Sequence, residues 1–455
     1  METPDFRPEP DAAAGPDRLR GELGALRRSR PLGRVAAVAQ GVVEVSGLGR
    51  HLRLGDRLSL RPPGAPPVPC EALRIGAGVV VALPEEGLGA VRVGDPVRWE
   101  GAPRATPHEG WIGRILDPDG APLDGRPLLP GPEARPLLAP PPPAATRRRL
   151  GARLATGLAV TDTLLPLARG QRVGLFAGSG VGKSSLLADL ARGVEADVVV
   201  VALVGERGRE LREFTEGTLG PEGMARAVVV AATSDRAPAV RRRCAWTAMA
   251  AAERFRDQGA HVLLLVDSVT RFAEAAREVA LAAGEAPSHR GFPPSVAAAV
   301  AALAERAGPG PERGPEGARG GDVTAVFSVL VAGSDMEEPV ADTLRGVLDG
   351  HVVLERAIAE RGRFPAVDAP RSVSRSLPGV ASEAENALLA RLRRLLGAYD
   401  RSELMVRSGL YTPGSDALLD EAVRLHPALD AFLAERSEAP EAAFARLEAI
   451  LGGRG

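Results

Sequence analysis

The stretch that decides the fold is residues 173–187, which read VGLFAGSGVGKSSLL. Its apolar start is typical of a buried strand, its end is typical of a helix, and a glycine loop joins the two. Three glycines let backbone N–H groups turn inward around phosphate oxygens: Gly178, Gly180 and Gly182. Lys183 is placed to reach the terminal phosphates of ATP, and the Ser184 hydroxyl to bind Mg²⁺. The predicted nucleotide-binding run is Ala177, Gly178, Ser179, Gly180, Val181, Gly182, Lys183, Ser184 and Ser185.

One position departs from the literal pattern G-x-x-x-x-G-K-[ST], because Ala177 stands where the first glycine is expected. A methyl group is compatible with that position when φ is negative. The spacing is not G-x-G-x-x-G, which disfavours a dinucleotide site. Lys183 is the only lysine among 57 basic residues, and a lysine retained among arginines indicates a need for a compact ammonium group. The alternative is an ordinary glycine-rich turn.

Composition excludes several other classes of protein. A net charge of -1 over 455 residues gives no field that attracts nucleic acid, and an aromatic content of 3% leaves few rings on which bases stack. Cys70 and Cys244 have neither metal-binding nor disulfide spacing, so both are expected to be buried. The sequence begins without a signal pattern, and no apolar run is long enough for a bilayer. A cytosolic protein that binds no nucleic acid is expected.

Changes in residue composition and in the spacing of apolar residues divide the chain into four predicted parts. Residues 1–30 are expected to form a flexible segment whose helix, at 17–28, presents Leu19, Leu23 and Leu26 to a partner; the alternative is an idle disordered tail. Residues 31–100 have short Val and Leu runs between Gly, Pro and Asp, which predict a β-barrel. Residues 101–376 alternate buried-type strands with helices, which predicts an ATPase domain with a parallel sheet. Residues 377–455 have helical spacing and form a predicted C-terminal helical domain.

Within these parts the expected elements are specific. The strands of the parallel sheet are predicted at 173–176, 197–204, 227–232, 262–266 and 323–331, and C-terminal helices at 383–398 and 416–433. The run of prolines at 140–143, followed by arginines at 147–149, predicts a stiff linker with a solvated charge run.

Two carboxylates follow predicted strands of the sheet. One strand runs directly into Glu206, in GERGRE, and another ends at Asp267. Ligands of open parallel sheets bind at the carboxyl ends of the strands. We therefore expect Glu206 to polarise the attacking water beside the γ-phosphate, and Asp267 to act through Mg²⁺ and its waters. The alternative for Glu206 is a surface ion pair with Arg207 or Arg209.

Longer motifs add a resemblance to a known family. The chain contains, in order, FAGSGVGKS, GERGRE, LLLVDSVTRFA, GEAPSHRGFPPS, SDMEEPVADTLRGVLDGHVVL, RGRFPAVDAPRSVSR and GLYTPGSD. Over about residues 31 to 425 it resembles the flagellum-specific type III protein-export ATPase, which is related to the catalytic subunit of rotary ATP synthases. The resemblance implies an α/β fold with a RecA-like P-loop core, an N-terminal β-barrel and a C-terminal helical domain.

The resemblance also implies roles for single residues. Glu206 matches the catalytic glutamate and Asp267 the second carboxylate, with Ser184 and Asp267 at the metal. Arg375, in SVSRS, matches an arginine that a neighbouring subunit supplies, and Phe364, in RGRFPAVD, matches an aromatic that stacks on adenine. The set of catalytic candidates is Lys183, Glu206, Arg207, Asp267, Arg271 and Arg375.

The partners that the resemblance implies are those of an export apparatus. A homohexamer is expected, with a soluble dimeric regulator at the N-terminal helix and a central-shaft protein in its pore. The loop 289–294, HRGFPP, is expected to present an exposed Phe292 to that shaft, and the alternative is a packed surface turn. A membrane export gate, exported flagellar proteins and their chaperones complete the set, and the enzyme is expected in the cytoplasm at the inner membrane.

Three alternatives remain beside this interpretation. An injectisome ATPase is the nearest, and a non-catalytic nucleotide-binding subunit is disfavoured because the glutamate of GER is present. An RNA-driven helicase would need a basic, aromatic N-terminal face, which this barrel lacks. Residues 399–404, YDRSEL, stand where a rotary synthase carries an acidic coupling loop, which argues against a synthase role.

Overall fold

The computed structural model describes residues 31–39, 41–312, 320–331 and 335–452. The helix predicted at 17–28 lies outside these residues. Within the part of the chain that the structure describes, none of the helices combines the length and the apolar character needed to span a lipid bilayer.

Six strands close into a barrel at the start of the described chain. They are β1 (Leu32–Ala39), β2 (Val42–Ser46), β3 (Arg57–Leu60), β4 (Val68–Ile75), β5 (Val79–Pro84) and β6 (Pro96–Gly101). Their order is β1, β2, β5, β4, β3, β6, and the pairing of β1 with β6 closes the ring. In β2 the fully buried Val43 and Val45 alternate with less buried neighbours, as one inward face requires. The predicted β-barrel is confirmed.

A second, mostly parallel sheet follows. Its seven parallel strands are β8 (Arg114–Leu116), β10 (Arg172–Ala177), β11 (Val198–Glu206), β12 (Ala227–Thr233), β13 (His261–Asp267), β15 (Asp322–Leu330) and β16 (Gly350–Leu354). They lie in the order β16, β10, β15, β13, β11, β12, β8. Two-residue strands pair antiparallel with this sheet: β17 (Val373–Ser374) extends its edge beside β16, and β14 (Gly308–Pro309) pairs with the inner strand β15. A separate two-stranded sheet consists of β7 (Arg104–Ala105) and β9 (Arg135–Pro136).

Helices cover both faces of this sheet. The helices of the central part are α1 (Ala159–Asp162), α2 (Lys183–Gly193), α3 (Gly208–Arg212), α4 (Gly220–Met224), α5 (Pro238–Asp257), α6 (Val269–Ala282), α7 (Pro294–Arg306), α8 (Pro339–Val347) and α9 (Arg356–Glu360). A π-helical stretch, Glu213–Leu219, joins α3 to α4. Short 3₁₀ turns lie at Glu109–Trp111, Ala144–Thr146 and His289–Gly291.

The valine-rich strand β11 explains why the sheet lies between two helical layers. Val199 and Val201 pack into the cluster that includes α2 and the C-terminal helices. Val200 and Val204 pack into the opposite cluster, with α5, α6 and α7. Because successive side chains point to opposite faces, a continuous apolar run is buried on both sides. The predicted α/β core with its parallel sheet is confirmed.

The C-terminal part is helical, as predicted, with α10 (Glu383–Arg407), α11 (Ala417–Phe432) and α12 (Pro440–Leu451). A capping box between Ser382 and Glu385 fixes the start of α10, and Asp416 accepts two backbone hydrogen bonds at the start of α11.

The predicted solvated arginine run is wrong. Arg147 and Arg148 are half-buried, and only Arg149 of the three is exposed. Arg148 donates to the carboxylate of Asp322 at 2.7 Å and to the carbonyl of Gly321 at 2.8 Å. The arginines satisfy carbonyl and carboxylate groups around β15, which a charge pattern alone does not reveal.

Candidate active site

The phosphate loop connects β10 to α2 at the carboxyl edge of the sheet. Gly180 has a φ of 77° and Gly182, immediately before α2, a φ of 86°, a region that favours glycine. Ala177 is buried at the end of β10. Within the described chain Arg290 is the only non-glycine residue with a positive φ, so the φ of Ala177 is negative. The methyl group at the first loop position is therefore accommodated.

Beyond the loop, the first turn of α2 presents small polar side chains. Ser184 and Ser185 are exposed there, whereas Val181, inside the loop, is buried. The amino end of this helix carries partial positive charge from unpaired N–H groups, which suits phosphate.

Asp267 meets the phosphate loop from a different strand. It ends β13, is 4% exposed, and its Oδ1 accepts a hydrogen bond from Lys183 Nζ. Ser328 Oγ of β15 donates to the same oxygen at 2.7 Å. A buried carboxylate needs such partners, since an unpaired charge is costly away from water. The loop lysine and the second carboxylate are thus in direct contact.

Glu206 projects from the end of β11 toward the same edge. Gly205, with a φ of 68°, accompanies a register shift between Val204 and Glu206, which turns the glutamate out of the regular strand. Burial, a hydrogen bond with Glu210 and the charge of Asp267 raise the pKa of Glu206 to about 7. The carboxyl group therefore gains and loses its proton near neutral pH.

The arginines near Glu206 have other partners. Arg207 Nη1 lies 3.6 Å from Glu210 Oε1, and within the described residues neither Arg207 nor Arg209 forms an ion pair with Glu206, so the geometry does not support that alternative. Arg271 lies one turn into α6, where its Nη1 pairs with Glu274 at 3.1 Å. A Cβ added at Gly205 would lie 3.4 Å from Cβ of Arg271, so Arg271 borders the turn that carries Glu206.

Phe364 lies against the phosphate loop. Its ring is 51% exposed, and a Cβ added at Gly182 would lie 3.2 Å from its Cδ1 atom. An exposed ring next to the loop is a surface on which a base can stack. Sequence reasoning missed another residue here: Arg356 Nη2 donates to the carbonyl of Ser179 at 3.1 Å. Arg356 lies two residues after the apolar run that ends β16, at the binding edge of the sheet, and that position was the available signal.

Arg375 lies far from the loop of its own chain. The backbone N–H of Arg375 donates to Asp349, and the preceding Ser374 pairs with Gly350 at the amino end of β16. Ala177, where the phosphate loop begins, pairs with Leu354 at the carboxyl end of β16. Four residues of strand separate the two levels, about 13 Å. The structure groups Lys183, Asp267, Glu206 and Phe364, and leaves Arg375 at the opposite edge.

The residues proposed for Mg²⁺ suit its chemistry. Ser184 offers a hydroxyl and Asp267 a carboxylate, and no cluster of three or more His, Cys, Asp or Glu side chains with metal-binding geometry occurs in the described chain. Mg²⁺ in nucleotide sites takes few protein oxygens and completes its shell with waters and phosphates. An all-oxygen pair beside the phosphate loop therefore fits this ion.

The expectation of an exposed Phe292 is wrong. Phe292 is half-buried and packs against the cluster beneath α5 to α7. The guanidinium carbon of Arg277 lies 5.4 Å from its ring centroid. Arg290 is among the exposed residues of this loop, and it pairs with Asp335 at 2.7 Å. The two prolines after Phe292 did not predict that the ring turns inward.

Both cysteines are buried, as predicted. Burial raises the pKa of the Cys70 thiol to about 12 and also raises that of Cys244, so both behave as small apolar groups.

Comparisons with known proteins show the family to which the chain is similar. Residues 157–374 match the nucleotide-binding domain of the ATP synthase alpha/beta family, and residues 381–448 match the T3SS EscN ATPase C-terminal domain. The flagellum-specific ATP synthase of Caulobacter vibrioides is 46% identical over 426 residues, which are 92% of this chain and 96% of that protein. The type 3 secretion system ATPase of Xanthomonas euvesicatoria is 40% identical over 422 residues, 92% and 93% of the two chains.

Solved structures extend the similarity to the fold. The assembled ATPase EscN from the type III secretion system of enteropathogenic E. coli has a TM-score of 0.84 at 35% identity, over 92% of this chain and 100% of that one. EscN in complex with its central stalk EscO has a TM-score of 0.81 with the same identity and coverage. The chain is an ATPase, and it belongs to the family of flagellum-specific ATP synthases and type 3 secretion system ATPases.

Proposed function

We propose that this ATPase energises or regulates the export of flagellar proteins through a type III pathway. The observation that carries the hydrolytic part of the proposal is the contact of Lys183 with Asp267 at the sheet edge to which Glu206 also projects. A phosphate-binding ammonium group and two carboxylates then face one site, and these are the functional groups that hydrolysis of a terminal phosphate requires. The flagellum-specific relatives, such as that of Caulobacter vibrioides, support the flagellar pathway.

Each residue has a distinct part in this proposal. Lys183 and the N–H groups of the loop bind the β- and γ-phosphates, and the Phe364 ring stacks on adenine. Ser184 and Asp267 hold Mg²⁺, which neutralises phosphate charge when bound. Glu206 orients and polarises the attacking water. Arg271 supports the turn of Glu206, while the exposed Arg207 adds positive charge near the phosphates.

We further propose a homohexamer in which Arg375 acts on the nucleotide of a neighbouring subunit. Its place at the edge opposite its own phosphate loop supports action in trans, because its side chain cannot span that distance. The solved EscN structures, described as assembled and as bound to a central stalk, support an assembly with a central partner.

The remaining partners follow from the proposed system. They are a soluble dimeric regulator at the N-terminal helix, a membrane export gate, and exported flagellar proteins with their chaperones. The enzyme would work in the cytoplasm at the inner membrane. An injectisome role is the second candidate, because an injectisome-type relative matches over 92% of this chain.

The experiment that tests the proposal is an allele exchange in the source bacterium. A chromosomal Lys183→Ala allele is expected to stop secretion of hook and filament proteins into the medium and to abolish swimming. A strain with Arg192→Ala, a change on α2 outside the loop, serves as the control. Normal flagella together with loss of effector secretion would assign the enzyme to an injectisome instead.

A further inference from the structure

Arg356 contacts the phosphate loop from outside. It is the first residue of α9, and its Nη2 donates a hydrogen bond of 3.1 Å to the carbonyl oxygen of Ser179. Ser179 lies at the exposed tip of the loop, between Gly178 and Gly180. Because the N–H groups of such a loop turn toward phosphate, the carbonyl of Ser179 on its outer side is open to a donor from outside the loop, and Arg356 supplies one.

We propose that Arg356 is a positioning residue of the phosphate loop, which strengthens nucleotide binding through the Ser179 carbonyl without touching the nucleotide. One peptide group joins Ser179 to Gly180. Its carbonyl oxygen, from Ser179, accepts the hydrogen bond of Arg356, and its N–H, from Gly180, is one of the loop's donors to phosphate. Hydrogen bonds in series polarise one another, so a cation at the oxygen makes that N–H a stronger donor.

Arg356 is itself held in place. Glu355 Oε1 accepts a hydrogen bond from the backbone N–H of Arg356 at 2.9 Å, and Glu355 Oε2 pairs with Arg371 Nη1 at 3.0 Å. The N–H of Glu355 donates to the carbonyl of Ala366 at 2.9 Å. These contacts tie Arg356 to the chain segment 364–371, whose Phe364 ring lies against Gly182. The loop is thus contacted at its tip and at its helix end by one connected unit.

This arrangement predicts an effect on affinity rather than on the chemical step. A residue that holds the loop equally in the ground state and in the transition state contributes uniform binding, so its loss raises KM and leaves kcat unchanged. The inference rests on the proposed nucleotide site, in which Lys183 and its loop bind the phosphates.

The test compares three variants of the full-length protein in steady-state hydrolysis and in titrations with a fluorescent ATP analogue. Arg356→Ala is expected to weaken ATP binding and raise KM about tenfold, with kcat within about twofold. Arg356→Lys keeps the charge and is expected to recover part of the affinity. Arg361→Ala removes an exposed arginine that directly follows α9 and pairs with Glu403 at 2.9 Å, and it is expected to change neither constant.

Several results would overturn the inference. They are an unchanged KM in Arg356→Ala, a loss of kcat without a change in KM, or equal effects of Arg356→Ala and Arg361→Ala. A Lys183→Ala control separates this failure from that of the proposed site. If Lys183→Ala is inactive while Arg356→Ala is normal, the result contradicts only the positioning role of Arg356. If Lys183→Ala stays active, the result contradicts the proposed nucleotide site itself.

Discussion

Lys183 of the phosphate loop and Asp267 at the end of β13 form an ion pair, although 84 positions separate them in the chain. The pair joins two elements that are not neighbours in the sheet, because β15 lies between β10 and β13. Phosphate oxygens and the Asp267 carboxylate are both acceptors for the same ammonium group. Nucleotide binding is therefore expected to share or replace this contact.

Lys183→Ala is expected to abolish hydrolysis, because no other lysine in the chain can supply the ammonium group. Phosphate release at saturating Mg-ATP measures the effect. Arg192→Ala, on the same helix but outside the loop, should keep activity within about twofold, as surface changes usually do. Activity of Lys183→Ala within threefold of wild type would contradict the assignment of the loop.

Glu206→Gln keeps the size of the side chain but removes its basic carboxylate. We expect normal ATP binding and hydrolysis slower by at least roughly a hundredfold, the scale of general-base catalysis. Binding is measured by titration and turnover by phosphate release. Weak binding with near-normal turnover would instead indicate that Glu206 has a structural role.

The raised pKa of Glu206 predicts how activity depends on pH. The base must be ionised, so kcat/KM for ATP should rise as the pH passes through about 7 and then level off. The nucleotide phosphates also ionise, so the profile of Glu206→Gln is the control. An equal inflection in both proteins would exclude Glu206 as its source.

The same raised pKa predicts that the stability of the fold falls as the pH rises, whereas the activity increases. The folded protein holds this proton more tightly than the unfolded chain, whose glutamate has the ordinary pKa of 4.5. The stabilising contribution is thus present below pH 4.5 and is lost as the pH rises through about 7. Glu206→Gln should therefore unfold at a higher temperature than wild type at pH 8, and the difference should shrink toward pH 5.

Much of this fold follows from local sequence patterns. The strand β11 was predictable because seven consecutive apolar residues can be buried only between two layers, and the phosphate loop because glycine spacing specifies its backbone. The strand β8 has only three residues, Arg114–Leu116, which are too few to show an alternation of apolar and polar side chains. Its pairing with β12 is a tertiary contact that local sequence does not specify.

The candidate site was predictable to a similar extent. Residues that end strands, such as Glu206 and Asp267, could be placed because a parallel sheet aligns the carboxyl ends of its strands. The direction of Phe292 depends on Arg277 and the helices around it, and the contact of Arg356 joins residues 177 positions apart. Such contacts are set by packing, which periodicity does not encode.

The final prediction concerns the action of Arg375 across a subunit interface. Arg375 lies level with Gly350 at the amino end of β16, while the phosphate loop of its own chain begins level with Leu354 at the other end. An arginine supplied to the γ-phosphate of a neighbour can be worth a factor of roughly 10³–10⁵ in turnover. Arg375→Ala should therefore bind ATP and barely hydrolyse it, as Glu206→Gln does.

A mixture of these two inactive proteins distinguishes action in trans from action in cis. If Arg375 serves the neighbouring site, some interfaces in a mixed assembly combine an intact Glu206 with an intact Arg375, and activity returns at those interfaces. The recovered activity should depend on total protein concentration, because the shared site exists only in the assembly. The control is a mixture of Arg394→Ala with Glu206→Gln. It measures the ATPase activity of a mixed assembly in which the substituted arginine is unrelated to the proposed interface. Mixed assemblies that form but remain as inactive as the separate proteins would show that Arg375 does not act across the interface.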